Sequence, residues 1–440
     1  MKRRKKNTNR YAAWLKKKLQ FMKLKRTYLD DFDQNVYLNL WLSAIFLSII
    51  GAMMVFSASA VKCRLSADFG YDMFFMFKRH VVFLCMGLTI MLVFQYWDYH
   101  ILMKFTVLSY LLSFVLLLLL KTPLGKESNG AYRWIEVAGV RFQPSEFTKL
   151  AVILFIGYLI YLKYDKLDKN MLTIYIWLAG GIQALMVMKI SSDLSSAIVI
   201  LCITFGMSFI FCSTLKLHIF SLCCAIGGAG AYVYSIYRNL PATSKELDSF
   251  PYRVQRIAAW LDPQRYSDDQ AYQPLNGMYS LGSGGLFGRG LGQSLQKLVI
   301  PEGQTDMIFS IYVEELGVFG GILLILLYLY LFYLLVRVAK RCRNDVYGAI
   351  LVVGILFHLA SQTFINLAVN VGLFPNTGIP LPFISYGGSS TLIVLVEMAI
   401  SICIERRNVI KEMIDMLKKK QREKRSKVIH IDEALKKGGR

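Results

Sequence analysis

Asp306 is the residue best placed to do chemistry. It stands in the run Pro301-Glu-Gly-Gln-Thr-Asp306-Met-Ile-Phe-Ser-Ile, where a long polar stretch gives way to an apolar block. A carboxylate at the boundary of water, lipid headgroup and hydrocarbon is partly desolvated, which raises its pKa and makes it a stronger base towards a hydroxyl. Thr305 and Asp306 are also good helix N-caps, so a purely structural role stands beside the catalytic one. Six cations, Arg79, Arg133, Arg141, Lys149, Arg253 and Arg256, fall in segments expected on the same side. Arg suits bidentate contact with phosphate and Lys point-charge contact. Each alone reads as a headgroup anchor; together on one face they predict an anionic ligand. Glu146 and Lys149, three apart at the start of an apolar block, are close enough to pair, either as an ion pair fixing a helix end or as part of a site. Asp193 opens another apolar block, and from position alone capping is its better reading. Glu397, inside the last block, is an exception to the gathering of charges at the outer boundary.

These residues need a scaffold that gathers them at one membrane face. Of 440 residues, 55% are hydrophobic and 18% charged, against roughly 25% charged in ordinary globular domains. The apolar residues come in blocks long enough to cross ~30 Å of hydrocarbon, which excludes disorder and a soluble multidomain chain. Ten blocks are predicted, at about 39–60, 80–97, 101–121, 145–163, 171–190, 193–213, 217–237, 307–337, 346–371 and 383–404. The predicted fold is therefore an all-α polytopic membrane protein with ten transmembrane helices and a large outer loop, 238–306, between helices 7 and 8. The membrane domain spans 39–404, between basic tails 1–38 and 405–440.

The net charge of +22 resides mostly in those tails, +9 in the first and +7 in the second. Basic residues beside membrane spans follow the positive-inside bias, which places both tails in the cytoplasm. An even number of spans agrees, as do Lys163, Lys166, Lys169, Lys216, Arg337, Lys340, Arg341 and Arg343 in the connections on that side. Neither tail interleaves aromatics with its charges, so nucleic-acid binding is not expected. Connections 61–79, 122–144 and 238–306 then face outward.

Other chemistries are excluded by spacing. Six glycines fall within 282–292, yet no register gives G-x-G-x-x-G and no Lys-Ser/Thr pair makes a Walker loop. On composition the segment reads as a flexible re-entrant connection. Six of the eight cysteines lie in apolar blocks and Cys63 in an outer loop, so no disulfide framework is indicated. Five scattered histidines without HExxH or CxxC companions give no zinc site. Ala58-Ser59-Ala60 imitates a signal-peptidase site, but the preceding block is long and many more follow, so it reads as a retained first helix.

The chain resembles the SEDS (shape, elongation, division and sporulation) proteins, polytopic peptidoglycan glycosyltransferases. The resemblance rests on Val55-Phe-Ser-Ala-Ser59, Gly130-Ala-Tyr-Arg-Trp134, Phe142-Gln-Pro-Ser-Glu-Phe-Thr-Lys149, the segment Gly282 to Lys297, Pro301-Glu-Gly-Gln-Thr-Asp306, Glu314-Glu-Leu-Gly317 and Gly378-Ile-Pro-Leu-Pro-Phe-Ile-Ser-Tyr-Gly-Gly-Ser-Ser390. These motifs occur in the family's order over nearly the whole chain. Gly290 to Lys297 and Asn376-Thr-Gly378 favour a division member over an elongation member.

The resemblance implies polymerisation of lipid II, a disaccharide-pentapeptide on undecaprenyl diphosphate, with Asp306 as the catalytic residue. It implies substrate contacts from Arg79, Arg133, Glu146, Lys149, Asp193, Arg253, Ser283 and Lys297. Asp306 would take the proton of an acceptor hydroxyl, worth about 10²- to 10⁴-fold. The leaving diphosphate would be met by Arg and Lys or by a divalent cation, Mg2+ or Mn2+. Glu146 would hold Lys149, and the glycine segment would let the loop close over a sugar chain. Implied partners are a class B penicillin-binding protein, which supplies the transpeptidase this chain lacks, and other division proteins at the septum. Two departures stand out: Gln304 occupies a position that is often His, which argues against a proton relay there, and Ser191-Ser-Asp-Leu-Ser-Ser196 keeps Asp193 in register among altered neighbours. A lipid II flippase is the competing class, but no internal repeat is found and most charges gather at the boundary rather than mid-span. A scaffold that only recruits partners would need the tails and not Asp306.

Overall fold

The computed structural model describes residues 35–128, 131–137, 140–163, 168–212, 214–267, 270–342 and 345–437. Most of the basic N-terminal tail, Gly130, Lys166 and Arg343 lie outside the described residues. Every predicted apolar block folds as a helix, because a backbone in hydrocarbon must close its hydrogen bonds within itself. In chain order these are α1 Val36–Leu65, α2 Phe75–Phe94, α3 Leu102–Leu119, α4 Pro144–Lys163, α5 Lys169–Ile190, α6 Leu194–Cys212 and α7 Leu215–Arg238. Short helices α8 Ser244–Leu247, α9 Tyr252–Leu261 and α10 Tyr272–Ser283 follow, then α11 Ile308–Arg341, α12 Val346–Asn370 and α13 Gly388–Lys437. Among the described residues ten helices are long and apolar enough to cross a membrane, as predicted. The chain is a multi-pass membrane protein.

Helix ends depart from prediction for identifiable reasons. α2 starts at Phe75, a turn before the expected 80, because Lys78 and Arg79 are long enough to carry their charges out of the first turn. α1 runs to Leu65 and takes Cys63 into a helix rather than a loop. All eight cysteines are free thiols. α4, α12 and α13 are the most buried spans, whereas α7 buries only His218 and Ile236. Alternating span directions bring connections 66–74, 120–143, 191–193, 239–307 and 371–387 to one end of the bundle.

Two features at that end were not legible as loops. Within 122–144 lies a three-stranded antiparallel sheet, with β1 Gly125–Ser128 paired to β2 Ala131–Val137 and β2 to β3 Val140–Phe142. The aromatic and β-branched run Tyr132-Arg-Trp-Ile-Glu-Val137 favours a pleated strand, and β3 leads almost directly into α4. The long connection carries its own apolar cluster, in which Leu247, Ile257, Ala258, Tyr266 and Ala271 pack with Ile236 of α7.

The glycine segment is anchored, not loose. α11 breaks at Gly317, whose φ is 74°, and in hydrocarbon the freed backbone groups need partners. The segment supplies them: Arg289 and Gly290 amides donate to the Glu314 and Glu315 carbonyls at 2.9 Å, and Val318 and Phe319 amides donate to Gly285 and Leu286 at 3.0 and 3.2 Å. The two backbones approach so closely that a Cβ on Gly288 or Gly317 would collide with the opposite strand. The buried Glu314 carboxylate then accepts from Ser280 Oγ at 2.8 Å, Ser294 Oγ at 2.5 Å and the Leu295 amide at 3.1 Å. Glu315 takes Ser57 Oγ at 2.5 Å and lies 3.5 Å from Lys297 Nζ. The Glu-Glu-Leu-Gly motif thus fastens the segment to α11.

Candidate active site

Asp306 lies immediately before α11, and the capping alternative fails there. The helix has no side-chain cap at Met307; the Ser310 amide and hydroxyl instead donate to Asn370 Oδ1 at 3.1 and 2.7 Å. The Asp306 backbone carbonyl is fixed by Asn366 and Asn370 Nδ2, both at 2.9 Å. With its backbone held from α12, the carboxylate is left for other use. Gln273 Nε2 of α10 donates to Oδ1 at 3.0 Å, and the Thr305 hydroxyl lies 3.2 Å away. Among the described residues no hydrogen bond reaches Oδ2. The residue is 7% exposed, and burial pushes its pKa above the usual carboxylate range while the Arg256 guanidinium opposes that rise. Gln304 does not approach the carboxylate; its Nε2 donates to Glu302 Oε2 at 3.0 Å.

Arg256 is held from below by Tyr252, one turn earlier on α9, with its guanidinium 4.5 Å from the ring centroid, and donates to the Asn376 carbonyl at 3.0 Å. Asn376 Nδ2 donates to Gln273 Oε1 at 3.0 Å, so the long connection and 371–387 close around Asp306 together. A Cβ on Gly378 would come within 3.7 Å of Arg256 Nη1 and 3.9 Å of Asp306 Oδ2. That glycine also lines a cavity of about 290 Å³, open mouth included, with Arg133, Gln143, Glu146, Lys149, Asp193, Ser196, Thr377, Ile379 and Pro380.

The cavity joins four of the predicted residues, Arg133, Glu146, Lys149 and Asp193. Glu146 and Lys149, each 1% exposed, pair at 2.8 Å. Asp193 serves two readings at once: Oδ1 accepts the Ser196 amide at 3.0 Å, capping α6, and Oδ2 accepts Ser145 Oγ at 3.1 Å, Ser196 Oγ at 2.7 Å and Gln143 Nε2 at 3.3 Å. Three buried atoms on the lining, Arg133 Nε, Glu146 Oε2 and Thr377 Oγ1, have no hydrogen-bond partner. A buried polar atom without a partner is costly, so these three mark where a polar ligand fits. Among the described residues no three His, Cys, Asp or Glu side chains converge to hold a metal ion. Positive charge for an anionic ligand comes here from Arg133, Lys149 and Arg256.

Four predicted contacts are placed elsewhere. Arg253 Nη2 donates to the Met188 carbonyl at 2.9 Å, tying α9 to α5, so Arg256 holds the position expected of it. Ser283 Oγ donates to the Ser280 carbonyl at 3.1 Å, and Lys297 donates to the Gly292 carbonyl at 2.6 Å beside Glu315; both belong to the anchored glycine segment. Arg79 lies over the Phe75 ring at 5.7 Å, outside the cavity lining. Gln273, Asn366 and Asn370 were missed, and the connection 371–387, quoted for its motifs, was not assigned to the site. The i, i+4 pair Asn366 and Asn370 inside an apolar helix was the available signal.

A buried carboxylate with one free oxygen, beside a polar cavity whose lining pairs Arg133 and Lys149 with Glu146 and Asp193, lies under the loops of a polytopic membrane bundle. Residues 37–409 match the family model of FtsW, RodA and SpoVE, described as a cell cycle protein, and the chain belongs to that family. A Geobacter sp. (strain M18) protein named probable peptidoglycan glycosyltransferase FtsW is 34% identical over 367 residues, covering 83% of this chain and 95% of its own. Stage V sporulation protein E of Bacillus subtilis (strain 168) is 34% identical over 364 residues, 82% of this chain and 94% of that one. Among solved structures, a chain from a study of how a peptidoglycan synthase complex coordinates polymerization and crosslinking aligns with TM-score 0.63 at 24% identity, covering 82% of this chain and 96% of that chain. Rod shape determining protein RodA of Thermus thermophilus aligns with TM-score 0.55 at 22% identity, covering 83% and 95%. The structural likeness concerns the fold.

Proposed function

We propose that this chain is a peptidoglycan glycosyltransferase of the division type, which polymerises lipid II with Asp306 as general base. The name of its relatives supports the activity, and the observation that carries the site is the free Oδ2 of Asp306 beside Arg256 and the polar cavity that Arg133 and Lys149 line. The acceptor sugar's 4-hydroxyl lies against Oδ2 and gives up its proton as it attacks the donor's anomeric carbon. The carbon–oxygen bond to the diphosphate breaks with inversion, and negative charge gathers on the leaving group. Lys149 and Arg256 stabilise that charge without reorganising, because each is already held by the protein, and Arg133 offers its unpaired Nε. In this reading both tails are cytoplasmic, the site faces outward at the septum, and a class B penicillin-binding protein crosslinks the product. The purified chain with that partner is expected to form glycan from lipid II; no polymer from the intact pair overturns the proposal.

Arg256 gives a pH signature. Its charge lowers the Asp306 pKa against the larger effect of burial, and the base works only when ionised. Replacing it, Arg256→Gln, raises that pKa further, so the acid limb of the rate–pH profile moves to higher pH. An acid limb that stays in place or moves down detaches Arg256 from the base.

A further inference from the structure

The Lys149 ammonium has three N–H donors. One reaches Glu146 Oε1 at 2.8 Å and a second reaches Gln362 Oε1 at 2.9 Å, leaving the third for the cavity. Its direction therefore depends on which end of the amide Gln362 presents. Gln362 Nε2 lies 3.0 Å from the Pro380 carbonyl, which can only accept, so the nitrogen belongs there and Oε1 faces Lys149. The same Oε1 lies 2.8 Å from His358 Nε2, and an oxygen without a proton requires that Nε2 carry one. Across the ring, Nδ1 lies 2.7 and 2.8 Å from the two oxygens of Glu397. His358, Gln362 and Glu397 are fully buried. Nε2 thus donates its N–H to Gln362, and the Glu397 carboxyl holds the opposite side of the ring.

We propose that His358 and Glu397 are a positioning pair that locks the Gln362 amide and, through it, aims Lys149 at the donor's diphosphate. The proposal rests on the reading of the cavity given above. Turning the amide round would set its NH2 against both Lys149 and the His358 N–H, and its oxygen against the Pro380 carbonyl. Glu397 secures this arrangement by engaging Nδ1, which orients the ring so that the Nε2–H faces the Gln362 oxygen.

Two measurements test it. In protein labelled with 15N-histidine, the His358 signals, assigned by their loss in His358→Leu, are expected to show Nε2 protonated; an unprotonated Nε2 overturns the proposal. The double variant His358→Leu/Glu397→Leu removes both polar partners and leaves no unpaired buried charge, so the protein is expected to keep its thermal stability. It is expected to bind undecaprenyl diphosphate about tenfold more weakly, and to raise KM for lipid II equally with kcat within about threefold, as for loss of one charge-assisted hydrogen bond. Glu397→Gln still offers Nδ1 a partner and is expected to stay within about threefold of the parent. Parental diphosphate binding by the double variant overturns the positioning role, as does equal weakening in Glu397→Gln. If diphosphate binding weakens as expected while the parent makes no polymer, the pair stands and the polymerase reading falls. A double variant that does not fold leaves the decision to the nitrogen signals of the parent.

Discussion

Asp306→Asn is expected to lower polymerisation of lipid II by about 10²- to 10⁴-fold, the range that a positioned general base contributes. The substitution is nearly isosteric, and the Asn carbonyl still accepts the proton of Gln273. The Asn366 and Asn370 bonds go to the backbone carbonyl and are untouched. Loss of activity is thus expected without loss of thermal stability, and undecaprenyl diphosphate binding stays close to the parent because the cations are unchanged. A variant that polymerises as well as the parent removes Asp306 from the chemistry. Inactivity accompanied by unfolding would instead make it a structural residue, against the finding that its side chain does not cap α11.

Lys149→Met is expected to be the most destabilising single change at the site. Glu146 and Lys149 are each 1% exposed, and removing one partner of a buried ion pair costs about 3–5 kcal/mol because the other charge is left uncompensated. Glu146 Oε2 already lacks a hydrogen bond, so no second donor relieves it. The double change Glu146→Gln/Lys149→Met leaves no bare charge and is expected to recover most of the thermal stability in detergent while remaining unable to bind the diphosphate. Equal destabilisation by the single and double variants would show that the lysine matters through packing alone.

The scaffold was largely legible because hydrocarbon imposes one rule on every span, and that rule is written in block length. Asp306 was legible for the same reason: the change from polar to apolar at 306 fixes its depth. Direction was not. Arg253 and Arg256 share a helix and a chemistry, yet one turns to α5 and the other to Asp306, a choice made by Tyr252 and by the Asn376 carbonyl 120 residues away. Lys297 carries an obvious charge that is absorbed by Glu315 and a backbone carbonyl. The connection 371–387 carries no long polar run and was read only as a family motif, although its backbone forms a cavity wall through Thr377, Gly378, Ile379 and Pro380. Glu397 had no partner at helical spacing because His358 lies on another helix, 39 residues earlier.

The carbonyl of Asp306 is gripped by two asparagines of α12, and the cavity wall follows them in the chain. A ribosome that has just delivered the eighth span has therefore released Asp306 but neither its clamp nor the last wall of the cavity beside it. The proposed site is finished only when the last two helices enter the bilayer, so a nascent or truncated chain that ends before them is expected to be chemically idle at the membrane.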